Sequence, residues 1–89
     1  MPARARVVFH GLVQGVYFRD TVRRCALAEG VTGWVRNNRE GTVEAVFEGD
    51  PAAVERLVTL CHKGPRGARV DRVVVSAEEP EGLGGFSIR

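Results

Sequence analysis

Two side chains and one run of backbone have the types and spacing to do chemistry, and the run with one of those side chains can hold a small anion. The run is His10-Gly-Leu-Val-Gln-Gly-Val-Tyr-Phe-Arg19. An apolar, β-branched stretch leads into it and a helix-like pattern leaves it. Glycine takes positive φ at no steric cost, so a loop containing Gly11 and Gly15 can turn its N–H groups inward. The first N–H groups of the following helix lack intrahelical partners and stand at the positive end of its dipole. Arg19 adds a planar, permanently charged fork. Together these form a site for a phosphate-like anion.

Gly-x-x-x-Gly by itself also marks any strand-to-helix turn. No Gly-Lys-Ser/Thr follows, so this is not a Walker loop, and the third glycine of the dinucleotide fingerprint is missing. The second side chain is Asn37, in Gly33-Trp-Val-Arg-Asn37. An asparagine before a hairpin turn is most simply a turn residue. Asn38 fits that part better, which leaves Asn37 free for another.

Other chemistries lack their residues. No cysteine or aspartate sits in the loop as a covalent nucleophile. No His or carboxylate cluster has metal-ligand spacing. Strand parity sets His10 on an exposed face, and His62 ends a helix, where the dipole favours it. Asp20 falls in the first turn of a helix for the same reason. Such a site can position and stabilise, but it has no evident acid. It suits a leaving group that departs unaided, such as a carboxylate, whose conjugate acid has a pKa of about 4.

The elements that must position these residues follow from periodicity. Residues 4–10 alternate as a strand, with Ala5, Val7 and Phe9 on one face and Arg4, Arg6, Val8 and His10 on the other. Residues 18–29 place Phe18, Val22, Cys25 and Ala26 on one helical stripe, and Gly30 stops it. Residues 31–38 and 42–48 form a hairpin around Arg39-Glu40-Gly41. One face should be covered, and the other, with Glu44 and Glu48, wetter. Trp34 packs on that less covered face, and Arg36 points away from Asn37. Asp50-Pro51 starts a second helix, with Val54, Leu57, Val58 and Cys61 as its stripe and Gly64-Pro65 as its stop. Arg23, Arg24 and Arg56 fall on solvated helix faces. Residues 69–77 are a valine-rich strand, and Phe86-Ser-Ile88 is a short last one.

The order β-α-β-β-α-β plus a short strand predicts an α+β ferredoxin-like sandwich, an antiparallel sheet with two helices on one face. Residues 1–89 read as one domain. With 44% hydrophobic and 27% charged residues, the composition is that of a globular chain. No apolar run reaches membrane-spanning length, so a cytoplasmic protein without a membrane partner is expected. Cys25 and Cys61 read as buried free thiols. A net charge of +2 is too small to point to nucleic acid. The competing reading is a ferredoxin-like RNA-binding module. That would need exposed aromatics on the middle strands, whereas Phe9 and Phe47 have core parity.

Gly11-Leu-Val-Gln-Gly-Val-Tyr-Phe-Arg19 resembles the G-x-V-Q-G-V-x-F-R motif of the acylphosphatases. Gly33-Trp-Val-Arg-Asn37 with Gly41-Thr-Val-Glu44 resembles their G-x-V-x-N and G-x-V-E motifs. Gly64-Pro65, Ala68-Arg-Val70 and Phe86-Ser-Ile-Arg89 resemble later landmarks of the family. The resemblance implies hydrolysis of acyl phosphates to a carboxylate and inorganic phosphate, without metal, cofactor or covalent intermediate. It implies that Arg19 binds the phosphoryl group and that the backbone N–H groups of Gln14, Gly15, Val16, Tyr17 and Phe18 cradle it. It implies that Asn37 holds the attacking water. The partners expected are a small-molecule acyl phosphate and inorganic phosphate, with the protein acting as a monomer.

Overall fold

A computed structural model describes residues 1–89. The chain runs β1 (Ala3–Leu12), α1 (Phe18–Glu29), β2 (Thr32–Asn37), β3 (Val43–Gly49), α2 (Pro51–Lys63), β4 (Arg69–Glu78) and β5 (Phe86–Ile88). The strand order is β4-β1-β3-β2-β5. β1 pairs antiparallel with β3 and β4, and β2 pairs antiparallel with β3. That is the expected ferredoxin-like winding. β5 adds a parallel edge on β2, so the five-stranded sheet is mixed.

Both helices cover one face. Phe18, Val22 and Ala26 of α1 and Val54, Leu57 and Cys61 of α2 share one core with Val7, Phe9, Val35, Ala45 and Phe47 of the sheet. Each buried aliphatic or aromatic side chain contributes about 1.5–3 kcal/mol by leaving water. Phe18 packs on Phe9 with ring centroids 5.0 Å apart, which pins the first residue of α1 over β1. At its other end α1 closes with Gly30 in the left-handed region, and the Val31 N–H reaches the Ala26 carbonyl at 2.9 Å. α2 starts as its sequence predicts, with the Asp50 carboxylate accepting from the Ala53 N–H at 3.3 Å and Pro51 at the first helical position.

Three expectations are corrected. Gly11 is not in the loop. β1 continues through Gly11 and Leu12, with a bulge between His10 and Gly11 where it pairs with β4. Gly11 has φ 131°, and a Cβ there would stand 2.1 Å from the Arg69 carbonyl oxygen, so only glycine fits. Cys25 is half-buried, unlike Cys61. Burial pushes the Cys61 thiol up to about 12, and the nearby Cys25 adds to this.

The third correction concerns the face away from the helices, which is not wet. Arg4, Trp34, Glu44, Val46 and Glu48 are all buried. Arg4 bonds Glu48 at 2.7 Å and Glu78 at 2.8 Å; Arg6 bonds Glu78 at 2.7 Å and also Glu44. Trp34 lies on this face as expected, under the guanidinium groups of Arg6, Arg36 and Arg89 at 5.6, 5.1 and 4.6 Å. Glu48 also accepts from the N–H groups of Glu81, Gly82 and Leu83, which closes residues 81–83 over the sheet. Burial alone would raise its pKa. The Glu81 N–H, the Arg4 guanidinium and the N–H groups of Leu83 and Gly82 outweigh that and hold it at about 2.

Candidate active site

The loop between β1 and α1 takes its shape from four anchors. Val13 is buried in the core and Val16 packs against it. Gln14 turns its side-chain amide away and donates to the carbonyls of Asn38 at 2.7 Å and Thr42 at 2.9 Å. Phe18 is held by Phe9. Between these anchors the backbone has φ 73° at Gly15 and φ 61° at Tyr17, with no positive φ at Val16. That alternation turns successive N–H groups toward one concave side. At Gly15 no atom crowds the Cβ position, so glycine is required there for its φ.

The consequence appears in the hydrogen bonds. No main-chain N–H from Gln14 to Asp20 donates to a protein acceptor; the first bond of α1 is Thr21 N–H to the Tyr17 carbonyl at 3.1 Å. A loop with unmade donors runs straight into a helix end with unmade donors, and the two positive ends coincide.

Arg19 stands in the first turn of α1, half-buried, with no carboxylate partner. Its Nη1 donates to the Arg89 carbonyl at 3.4 Å. The carboxylate next to it in sequence, Asp20, is engaged elsewhere: its Oδ2 is 3.2 Å from Nε of Arg24. Asn37 is the last residue of β2 and pairs with Val43. Its side chain makes no hydrogen bond, because Asn38 has the turn role, bonding Thr42 Oγ1 at 3.0 Å and Glu44 at 3.2 Å.

One open cleft of about 370 Å³ brings these groups together. Arg19 and Asn37 both line it, with Gly15, Tyr17 and Phe18 from the loop. Gln14 and Val16, also expected to offer backbone donors, flank it without lining it. Val13, Asp20 and Ile88 line it too; sequence reasoning assigns Asp20 only a helix-dipole role, and Val13 and Ile88 no role in the site. Asp20 adjoins Arg19 in the chain, so its nearness had a signal. Ile88 had none, since only the pairing of β5 with β2 brings it there. Arg23 is exposed, as expected for a solvated face, and also donates to the Phe86 carbonyl at 3.2 Å, which ties α1 to β5. No group of three His, Cys, Asp or Glu residues is placed to hold a metal ion. No helix is long and apolar enough to cross a membrane.

Residues 5–88 match the family model described as Acylphosphatase. The chain is 56% identical over 85 residues to an acylphosphatase of Thermococcus kodakarensis, covering 96% of this chain and 93% of that protein. It is 54% identical over 86 residues to an acylphosphatase of Haloarcula marismortui, covering 97% and 94%. The crystal structure of the Bacillus subtilis acylphosphatase superposes with a TM-score of 0.96 at 33% identity, covering 100% of this chain and 99% of that one. Sequence and fold thus agree along almost the whole length, and the chain belongs to the acylphosphatase family, the hydrolases of acyl phosphates.

Proposed function

We propose that the cleft between the β1–α1 loop and the end of β2 hydrolyses acyl phosphates by direct attack of water on phosphorus. The observation that carries this reading is the row of unengaged N–H groups from Gln14 to Asp20, in a segment whose Gly15, Tyr17 and Phe18 line the cleft that Arg19 and Asn37 share. The backbone donors of Gln14 to Phe18 and the Arg19 fork hold the phosphoryl oxygens. Each charge-assisted bond contributes about 1.5–3 kcal/mol net. Their positions are set by the fold before substrate arrives, so they stabilise the charge that spreads over the equatorial oxygens during transfer.

Asn37 holds the water, accepting through its carbonyl or donating through its amide, and aligns it with the P–O bond to be broken. A new P–O bond forms to water oxygen as the bond to the acyl oxygen breaks. The acyl oxygen leaves with the electron pair as a carboxylate and needs no general acid. One water proton passes to a phosphate oxygen, giving dihydrogen phosphate. Positioning of this kind supplies roughly 7–11 kcal/mol of barrier lowering. Nothing in this sequence of steps calls for a metal or a covalent intermediate. We further propose that the chain works as a monomer in the cytoplasm.

The test is phosphate release from benzoyl phosphate by the purified chain, with and without EDTA. Turnover that EDTA leaves intact is expected. Absence of turnover would overturn the reading, and a loss restored by added metal would overturn its metal-free form.

A further inference from the structure

We propose that Asp20 acts as a charge filter on the substrate: it disfavours acyl phosphates with a second negative charge on the acyl group and favours those with a positive one. This rests on the reading of the cleft given above.

Two charged side chains line the cleft, Arg19 and Asp20. On that reading the phosphoryl oxygens occupy Arg19. The acyl part of the substrate then meets one remaining charge, and it is negative. Asp20 stands in the first turn of α1, where a carboxylate interacts favourably with the helix dipole. Here the same helix end also faces the cleft, so the carboxylate stands where an anion has to bind. It makes no bond to Arg19. Its Oδ2 lies 3.2 Å from Nε of Arg24, and its Oδ1 has no partner in the protein. The Asp20 side chain is 55% exposed and that of Arg24 70%, so the pairing offsets only part of the charge. Arg24 itself does not line the cleft.

Distance decides whether that charge is felt. A sphere of about 370 Å³ is roughly 9 Å across, close to the Debye length of about 8 Å at physiological salt. A charge on an acyl group held in the cleft therefore lies within reach of Asp20. At such separations, with Arg24 as a partial offset, one unit charge shifts kcat/KM by about three- to tenfold. The phosphoryl group is repelled as well, but that repulsion is common to every acyl phosphate and cancels between them.

The experiment compares kcat/KM for three benzoyl phosphates substituted at the meta position with carboxymethyl, ethyl or trimethylammoniomethyl, each corrected for its uncatalysed hydrolysis. All release a benzoate, so the phosphoryl chemistry is shared. The parent should favour ethyl over carboxymethyl, and trimethylammoniomethyl over ethyl, each by about three- to tenfold. Both ratios should shrink toward one at about 0.5 M salt. Asp20→Asn keeps the size of the side chain and removes its charge, and should bring both ratios close to one. Arg24→Gln unmasks the carboxylate and should steepen them by about twofold. Glu79→Gln changes the net charge as Asp20→Asn does, but at an exposed residue outside the cleft, and should leave the ratios as they are.

A parent that treats the three substrates alike, or prefers the carboxymethyl one, overturns the proposal. So do ratios that ignore salt, since shape and not charge would then set them. An equal change for all three in Asp20→Asn also overturns it, because the carboxylate would then serve only the helix. A shift in Glu79→Gln as large as in Asp20→Asn overturns it in favour of the field of the whole protein. A parent that hydrolyses none of the three instead overturns the underlying reading of the cleft.

Discussion

The side-chain amide of Gln14 donates to the main-chain carbonyl of Asn38 at 2.7 Å, and so ties the β1–α1 loop to the β2–β3 turn. The same nitrogen reaches the Thr42 carbonyl at 2.9 Å. Asn37, the residue before Asn38, is thereby held at a set distance from the loop that carries the backbone donors. One uncharged side chain couples the two halves of the site.

Gln14→Ala removes both bonds, while the two carbonyls keep their main-chain donors, Gly41 N–H to Asn38 at 3.2 Å and Asn38 N–H to Thr42 at 2.9 Å. At about 1 kcal/mol per bond, the expected loss of stability is about 2 kcal/mol, read from urea midpoints. Because the loop and Asn37 would lose their mutual register, kcat/KM should fall by about 10- to 100-fold. A variant that loses stability but keeps full kcat/KM would show that the tie is purely structural.

Arg19→Ala takes away the only cation lining the cleft. Turnover should drop by about 10³-fold or more, the scale seen when an arginine is removed from phosphoryl transfer. Competitive inhibition by inorganic phosphate should weaken with it. Arg19→Lys keeps the charge but not the two-pronged geometry, and should recover only part of the loss. If phosphate inhibits the alanine variant as strongly as the parent, Arg19 does not bind the phosphoryl group.

Asn37→Ala should lower kcat by at least about 100-fold while leaving phosphate inhibition almost unchanged, because its proposed partner is water. The side chain has no hydrogen bond to lose and is exposed, so stability should move little. Parallel loss of kcat and phosphate affinity would place Asn37 in the phosphate cradle instead.

Glu48 makes the far face of the sheet sensitive to acid. Its folded pKa of about 2 lies below the ordinary carboxylate value of about 4.3. A depressed pKa contributes stability that is complete above the unfolded value and is lost as pH falls through the folded one. Stability should therefore decline between about pH 5 and pH 2. Glu44 and Glu78, also held low by their arginine partners, add to the decline. Glu48→Gln should be less stable than the parent at neutral pH and show a shallower fall in urea midpoint across that window. Identical pH slopes in the two proteins would refute this role for Glu48.

Much of the framework was decided within short stretches of chain. The stripe of Phe18, Val22 and Ala26 and the Asp50-Pro51 start specify both helices, because helical periodicity and capping act over a few residues. Alternation in residues 4–10 and 43–48 specifies which strand positions meet those helices. The candidate residues Arg19 and Asn37, which the fold brings to one cleft, could be picked out too, since Arg19 follows the glycine loop directly and Asn38 visibly occupies the turn that Asn37 leaves. What tertiary structure alone decided involves partners far apart in sequence. Gly11 reads locally as a turn residue, and only the approach of the Arg69 carbonyl makes it a strand residue at a bulge. Glu44 and Glu48 read as wet positions, and only Arg4, Arg6, Arg36 and the 81–83 backbone close over them. Ile88 reaches the cleft because β5 joins β2 in parallel, and Gln14 finds its acceptors across gaps of 24 and 28 residues. Periodicity and propensity are properties of neighbours along the chain. Pairing between distant segments depends on which surfaces the folded layers leave open to each other, and no local pattern encodes that.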